Sequence, residues 1–304
     1  MSSSPNSLPV AGRSIRRGRA GRGPIGGSLI VAASAIAFST AGLFTRLSSA
    51  DVWTMLFWRG LFGGLLIAGF IAWQERSNGI GAGVAIGRAG LLAAACSTLA
   101  TICFILALRA TTVADVTIIY ATAPFLAAGI AWLWDGETPR GATLPASCLA
   151  LLGVVAMVGG GAGDGALSGQ VLGFAMTVLM ALMMVVIRRN RHVSMLPAAC
   201  LSAFACAAVA LPWASPAAVT PAGLGVLLAF GTLQFGLGLL LLTIGTRHVS
   251  AARASLLGNL ELPFAPLWVW VAFGERLSLP AAIGGTLVVA AIIIDLAADS
   301  ARRA

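Results

Sequence analysis

Two stretches of this chain decide its fold. The first reads Arg109-Ala110-Thr111-Thr112-Val113-Ala114 and continues through Tyr120, Pro124 and Trp132 to Gly136-Glu137. The second begins 138 positions later as Arg247-His248-Val249-Ser250-Ala251-Ala252 and continues through Gly258 and Trp270 to Gly274-Glu275. The two align without a gap. Arg109/Arg247, Ala114/Ala252, Ala127/Ala265, Trp132/Trp270, Gly136/Gly274 and Glu137/Glu275 are identities. Both stretches lie in long apolar segments, so the element written twice is a membrane unit. Duplicated membrane units are the architecture of many secondary transporters, whose sites lie near the midplane where the copies meet.

Composition agrees with a membrane setting. Hydrophobic residues make up 59% of the chain and charged residues 10%, with a mean hydropathy of +0.95. An ordinary soluble domain carries about a quarter charged residues. The net charge of +9 comes from 19 basic residues, all of them arginine. Arg13, Arg16, Arg17, Arg19 and Arg22 stand in a Gly/Ser/Pro-rich tail ahead of the first apolar run, as a cytoplasmic flank does under the positive-inside rule. That distribution argues for a lipid bilayer as partner and against nucleic acid. The first apolar run continues to about Phe44, longer than a signal-peptide core, so an uncleaved first helix is expected. Cys96, Cys103, Cys148, Cys200 and Cys206 are scattered through apolar sequence without a Cys-x-x-Cys pair, which supports neither a metal site nor a disulfide framework.

A helix needs about 20 apolar residues to cross the hydrocarbon core. Runs that qualify cover approximately 27–45, 53–73, 89–108, 113–134, 141–159, 168–187, 194–212, 221–245, 250–273 and 278–297. The fold expected is therefore an all-α polytopic membrane protein, with ten transmembrane helices in two inverted five-helix repeats. Its parts are a basic cytoplasmic tail (1–26), a first repeat (27–159), a second repeat (160–297) and a short cytoplasmic C-terminal tail (298–304). With the N-terminus inside, 14 arginines fall on the cytoplasmic side, three outside (Arg46, Arg109, Arg276) and two within spans (Arg59, Arg253). That asymmetry places both termini in the cytoplasm. Five spans per copy is an odd number, so the second copy enters the membrane inverted, the basis of alternating access.

The layout resembles the drug/metabolite transporter superfamily, specifically its EamA-type members. The similar residues are Ala37-Phe38-Ser39, Phe57-Trp58-Arg59, Ala107-Leu108-Arg109, the Pro-then-Gly-Glu pattern of spans 4 and 9, and Leu260-Glu261-Leu262-Pro263. The likeness runs from about residue 27 to 297 and is greatest to bacterial inner-membrane amino-acid exporters of the YddG type. Two departures stand out. Pro263 is one residue later than the family's Glu-Pro adjacency, and span 7 lacks an arginine matching Arg59. The resemblance implies a multi-pass protein of a bacterial-type inner membrane that exports its substrate.

Candidate site residues follow from cost. A proline inside a helix removes a hydrogen bond to the carbonyl four residues earlier. Pro124 should thus free the carbonyl of Tyr120, Pro263 that of Asn259 and Pro266 that of Leu262. Freed carbonyls near the midplane are tolerated where they line a cavity, and a substrate ammonium is a suitable donor; simple kinking for packing is the alternative. Tyr120, the single tyrosine, stands near mid-span, away from the interface where membrane tyrosines gather. A carboxyl near the bilayer centre rarely occurs without partner or purpose, which leaves Glu261 as a proton carrier, a ligand for the substrate ammonium or the ion-pair partner of Arg59. Asp115 is a rival partner for Arg59. Met176, Met180, Met183 and Met184 share one helical face, as either ordinary packing or an adaptable cavity wall. Met180 and Phe38 occupy corresponding positions in spans 6 and 1. Ser39, Ser97, Thr101, Gln234 and Asn259 complete the candidate substrate-binding set. Gly136-Glu137 and Gly274-Glu275 read as helix terminators and gate hinges.

These residues point to a secondary transporter of small amphipathic metabolites, amino acids with apolar or aromatic side chains foremost. A multidrug or lipophilic-cation exporter of the same fold is the alternative. No Walker A sequence is present. Clustered His, Asp or Glu at helical spacing, as a membrane enzyme needs, and a channel-type filter are absent as well. No enzymatic activity, catalytic residue or cofactor is expected.

Overall fold

A computed structural model of the chain describes residues 24–78, 86–136, 143–160, 166–190, 195–249, 254, 257–276 and 278–303. Its secondary structure is helical throughout these residues. The basic tail to Arg22, the linker glycines Gly79 and Gly161, Glu137, Arg140 and Arg253 lie outside the described set.

Helices form where the apolar runs predict them. Seven are long and apolar enough to cross a membrane: Gly26–Leu47, Val52–Arg76, Gly87–Ala110, Val113–Trp134, Leu167–Arg189, Leu196–Trp213 and Pro221–Gly245. Three shorter apolar helices, Pro145–Ala156, Glu261–Phe273 and Leu279–Ala291, fall where the fifth, ninth and tenth runs were expected. Large apolar side chains such as Leu133, Val271 and Leu279 point outward, as contact with lipid demands and contact with water would not.

In finer detail the first span is two helices, α1 (Pro24–Ser39) and α2 (Ala41–Leu47), hinged at Thr40. Next come α3 (Val52–Asn78) and α4 (Gly87–Ala110). The fourth span is broken into α5 (Val113–Tyr120) and α6 (Ala123–Asp135), followed by α7 (Thr143–Gly160), α8 (Ala166–Arg189) and α9 (Met195–Ala210). The eighth span changes winding twice, from α10 (Pro221–Ala229) through a π-helical stretch (Phe230–Leu237) to α11 (Gly238–Gly245). Last come α12 (Glu261–Phe273) and α13 (Leu279–Arg303).

The helices pack in pairs: α4 on α8, α7 on α13, α3 on α9 and α1 on α11. Small residues make this close approach possible. A Cβ at Gly60 would stand 2.5 Å from the Ala203 carbonyl oxygen on α9, and one at Gly153 would stand 2.7 Å from that of Gly284 on α13. The main core gathers at one end of the bundle, around Met55, Leu56, Ile105, Leu108, Val113, Val116 and Phe230, with Phe44 stacked on Phe230 at 5.6 Å. That plug leaves the opposite half of the bundle interior free for a cavity.

Candidate functional site

The break in the fourth span follows from proline chemistry. Pro124 has no N–H, so it sits in the first turn of α6, where none is needed. Thr122 closes the preceding turn with its hydroxyl on the Ile119 carbonyl at 2.7 Å, and its own carbonyl accepts the Phe125 and Leu126 N–H groups. Tyr120 is thereby left as the last residue of a half-helix. In the ninth span the expectation needs correcting. The Asn259 carbonyl is not free: it accepts the Leu262 N–H at 3.1 Å in a tight turn before α12 starts. Shortening the loop from four residues to three supplies the donor that Pro263 lacks.

Residues of both breaks line one cavity of about 630 Å³. It runs from mid-bundle toward the end at which α1 begins, between Val31 and Phe38 of α1, Ala93 to Phe104 of α4, Met176 to Ile187 of α8 and Gln234 to Leu242 of the eighth span. Nine of the sequence candidates line it: Phe38, Arg59, Ser97, Thr101, Tyr120, Met180, Gln234, Asn259 and Glu261. Met176, Met183 and Met184 lie on the same wall, so the whole methionine stripe of α8 faces the cavity. Ser39 does not. It is buried away from the cavity, donating to the Ile36 carbonyl at 2.7 Å and accepting the Trp268 indole N–H at 2.9 Å, and so ties α1 to α12.

Pairing of Arg59 with Glu261, one of the three readings of that carboxyl, or with its rival Asp115, is not seen among the described residues. Arg59 donates from Nε and Nη2 to the Oε1 of Gln234, at 3.4 and 3.3 Å. Its guanidinium lies 5.1 Å from the centre of the Phe230 ring and 4.7 Å from that of Phe235. The π winding explains this arrangement. Its i to i+5 bonds bring residues five apart toward one face, so two phenylalanines and an amide converge on one cation. Gln234 in turn donates to the Phe38 carbonyl at 3.4 Å, which fixes which of its ends meets the arginine. Asp115 is engaged elsewhere, accepting from the Thr111 hydroxyl at 2.8 Å and the Gln170 amide at 3.4 Å. Glu261 has no ion-pair or hydrogen-bond partner among the described residues and lines the cavity with its charge unmatched. A cation and a carboxylate therefore share the cavity wall without meeting.

A sequence profile of the EamA-like transporter family matches residues 25–159 and again residues 167–296. The chain belongs to that family. It is thus a multi-pass membrane protein of a family of small-molecule transporters. No curated protein matches it at a significant level. A solved structure titled "Crystal structure of protein" superposes with a TM-score of 0.61 over 89% of this chain and 97% of its own; at 20% identity it speaks for the fold alone.

The other end of the transporter is closed by charges that do meet. Arg46, at the end of α2, lies 3.1 Å from Glu275 and donates to the Thr111 carbonyl at 2.9 Å. Glu275 also accepts the Val113 N–H at 2.8 Å, capping the start of α5, where the helix dipole favours a negative group. Glu275 is placed there by Gly274, whose φ of 67° ends α12 in the left-handed conformation; Gly136 ends α6 in the same way. The terminator reading of both Gly-Glu pairs thus describes their glycines. Nearby, Arg109 donates to the carbonyls of Ser48 and Ala50 at 2.9 and 2.6 Å. Asp51 caps α3 through the N–H groups of Trp53 and Thr54. Partial burial pushes its carboxyl up, but the bonds from Thr54 and Trp53 outweigh this and hold it below the ordinary carboxylate value.

Sequence reasoning missed the apolar part of the wall, above all Phe104, Phe235, Ile187 and Leu239. Apolar residues on apolar helices carry no periodic signal that separates a cavity face from a lipid face. It also missed the clamp at Glu275, whose partners are the Arg46 guanidinium and the Val113 backbone N–H of other spans.

Proposed function

We propose that this protein is a secondary transporter of small amphipathic metabolites, amino acids with apolar or aromatic side chains foremost, working by alternating access around the central cavity. The observation that carries the reading is the cavity itself: walls of phenylalanine, methionine and leucine, with a few polar groups converging at mid-bundle. Such a site suits a ligand of mixed character. Phe38, Met180 and Tyr120 would meet the substrate side chain, while Asn259, Glu261 and the exposed Tyr120 backbone would meet its ammonium.

Two inverted five-helix repeats, ten spans in all, account for the packing. Numbering the spans 1 to 10, the contacts pair 1 with 8 and 3 with 6, 2 with 7, and 5 with 10. Exchanging each span for its repeat counterpart turns the 1–8 pair into the 6–3 pair and returns the other two unchanged. Span 4 also packs on span 6, as span 9 packs on span 1. This supports a two-fold relation between halves divided near residue 160, with short tails at 1–26 and 298–304. With the arginine-rich side in the cytoplasm of a bacterial-type inner membrane, both termini are cytoplasmic, the cavity faces inward and the Arg46–Glu275 clamp closes the outside. Export is the direction expected from likeness to YddG-type exporters.

The carboxylate of Glu261, without a partner among the described residues, favours a second reading, a lipophilic-cation exporter. Purified protein in liposomes, given radiolabelled amino acids and cationic dyes in parallel, separates the two. Amino-acid uptake is expected. Dye transport without amino-acid transport would replace the first reading with the second.

A further inference from the structure

Arg59 is 6% exposed, and its charge has no counter-ion among the described residues. A buried cation normally has a carboxylate beside it, because removing the charge from water costs several kcal/mol. Here two of its nitrogens share one neutral amide oxygen, two ring faces lie against the guanidinium, and the buried Cys206 thiol is close by. A guanidinium offers five N–H donors in a planar fork. No acceptor stands against Nη1 among the described residues, yet that nitrogen is not sealed off, and the side chain lines the cavity. Gln234 is itself 3% exposed and anchored on the Phe38 carbonyl, so the fork is held in one orientation before any ligand arrives. Neutral partners orient the cation without cancelling its charge, which is the arrangement a site for an anionic group requires.

Resting on the transporter reading above, we propose that Arg59 receives the carboxylate of the substrate, and that Glu261, which lines the same cavity, receives its ammonium. The site then selects zwitterions. A lipophilic cation would meet Glu261 but also a fixed positive charge, whose repulsion in a cavity poor in water is strong. A molecule with both groups answers both charges, while Tyr120 and the methionines of α8 hold the apolar remainder.

Three probes that differ in their charged groups test the assignment: L-phenylalanine, phenethylamine (ammonium alone) and 3-phenylpropanoate (carboxylate alone). Their equilibrium binding is measured on the full chain purified in detergent. L-Phenylalanine should bind best. Arg59→Gln should weaken it on the order of tenfold to a hundredfold, as expected for a lost hydrogen bond to a charged group, while phenethylamine, relieved of the repulsion, binds more tightly. Because Arg59→Gln could fail to fold, Gln234→Glu provides an independent arm. It keeps Arg59 but supplies the counter-ion that the native site lacks, and should erase the preference for L-phenylalanine over phenethylamine. Equal binding of L-phenylalanine and phenethylamine to the native protein, or a preference intact in both variants, overturns the assignment. If L-phenylalanine is also transported in that case, the transporter reading survives and only the role of Arg59 falls. If none of the three binds while tetraphenylphosphonium does, the amino-acid reading falls with it.

Discussion

The two ends of this bundle use the same kinds of residue to opposite effect. At the clamp, Arg46 and Glu275 touch, and each also holds backbone of the fourth-span entry. In the cavity, Arg59 and Glu261 share a wall and do not touch; the cation is steadied by an amide and two rings. Charges that meet consume each other's valence and fasten helices together. Charges held apart in an apolar space keep their valence for something that arrives later. On the function proposed above, one end is a latch and the other a receptor, although both are written with one arginine and one glutamate.

Breaking the contrast at the receptor end should have the largest effect. Glu261→Gln keeps the shape of the side chain and removes its charge and its ability to carry a proton. In proteoliposomes this variant should lose all response to an imposed pH gradient, with exchange weakened by the lost ammonium contact but still measurable. A response equal to the parent's would remove Glu261 from coupling.

At the latch the effect should be intermediate. Glu275→Ala removes a cap worth about 1 kcal/mol and an ion pair worth up to about 1 kcal/mol. A loss of that size changes the ratio of closed to open outer gates by about tenfold. In a background without the native cysteines, Val116→Cys, buried between clamp and cavity, should then react with an impermeant maleimide from outside about tenfold faster. An unchanged rate would reduce the clamp to a surface detail. Gly274→Ala strains the same corner, because a side chain at φ 67° costs about 1 kcal/mol, and should speed the same reaction only a few-fold.

Much of this arrangement was legible in the sequence, for reasons that differ by residue. The helices follow from apolar runs, and the two glycine terminators from the repeat that contains them. The cavity location followed from Pro124, because a missing N–H must fall where a helix can end. What sequence could not supply was direction around a helix axis. Depth along the span made Glu261 a plausible partner for Arg59, yet depth says nothing about which faces meet. The π winding at Phe230–Leu237 was invisible, since it arises from packing and not from a residue code, and it is what delivers Gln234 to Arg59. Ser39 was misplaced for a related reason. One position beyond Phe38, it lies about 100° around the helix and meets Trp268 instead of the cavity.

The central claim is that this cavity holds the transported molecule. Ser97 lines it on α4 and makes no other commitment among the described hydrogen bonds. Ser97→Cys, in a background without the native cysteines, can be alkylated in inside-out vesicles with and without a saturating transported amino acid. The account predicts that the cysteine reacts from the cytoplasmic face and that the amino acid protects it. Alkylation at the same rate whether or not the amino acid is present would contradict it.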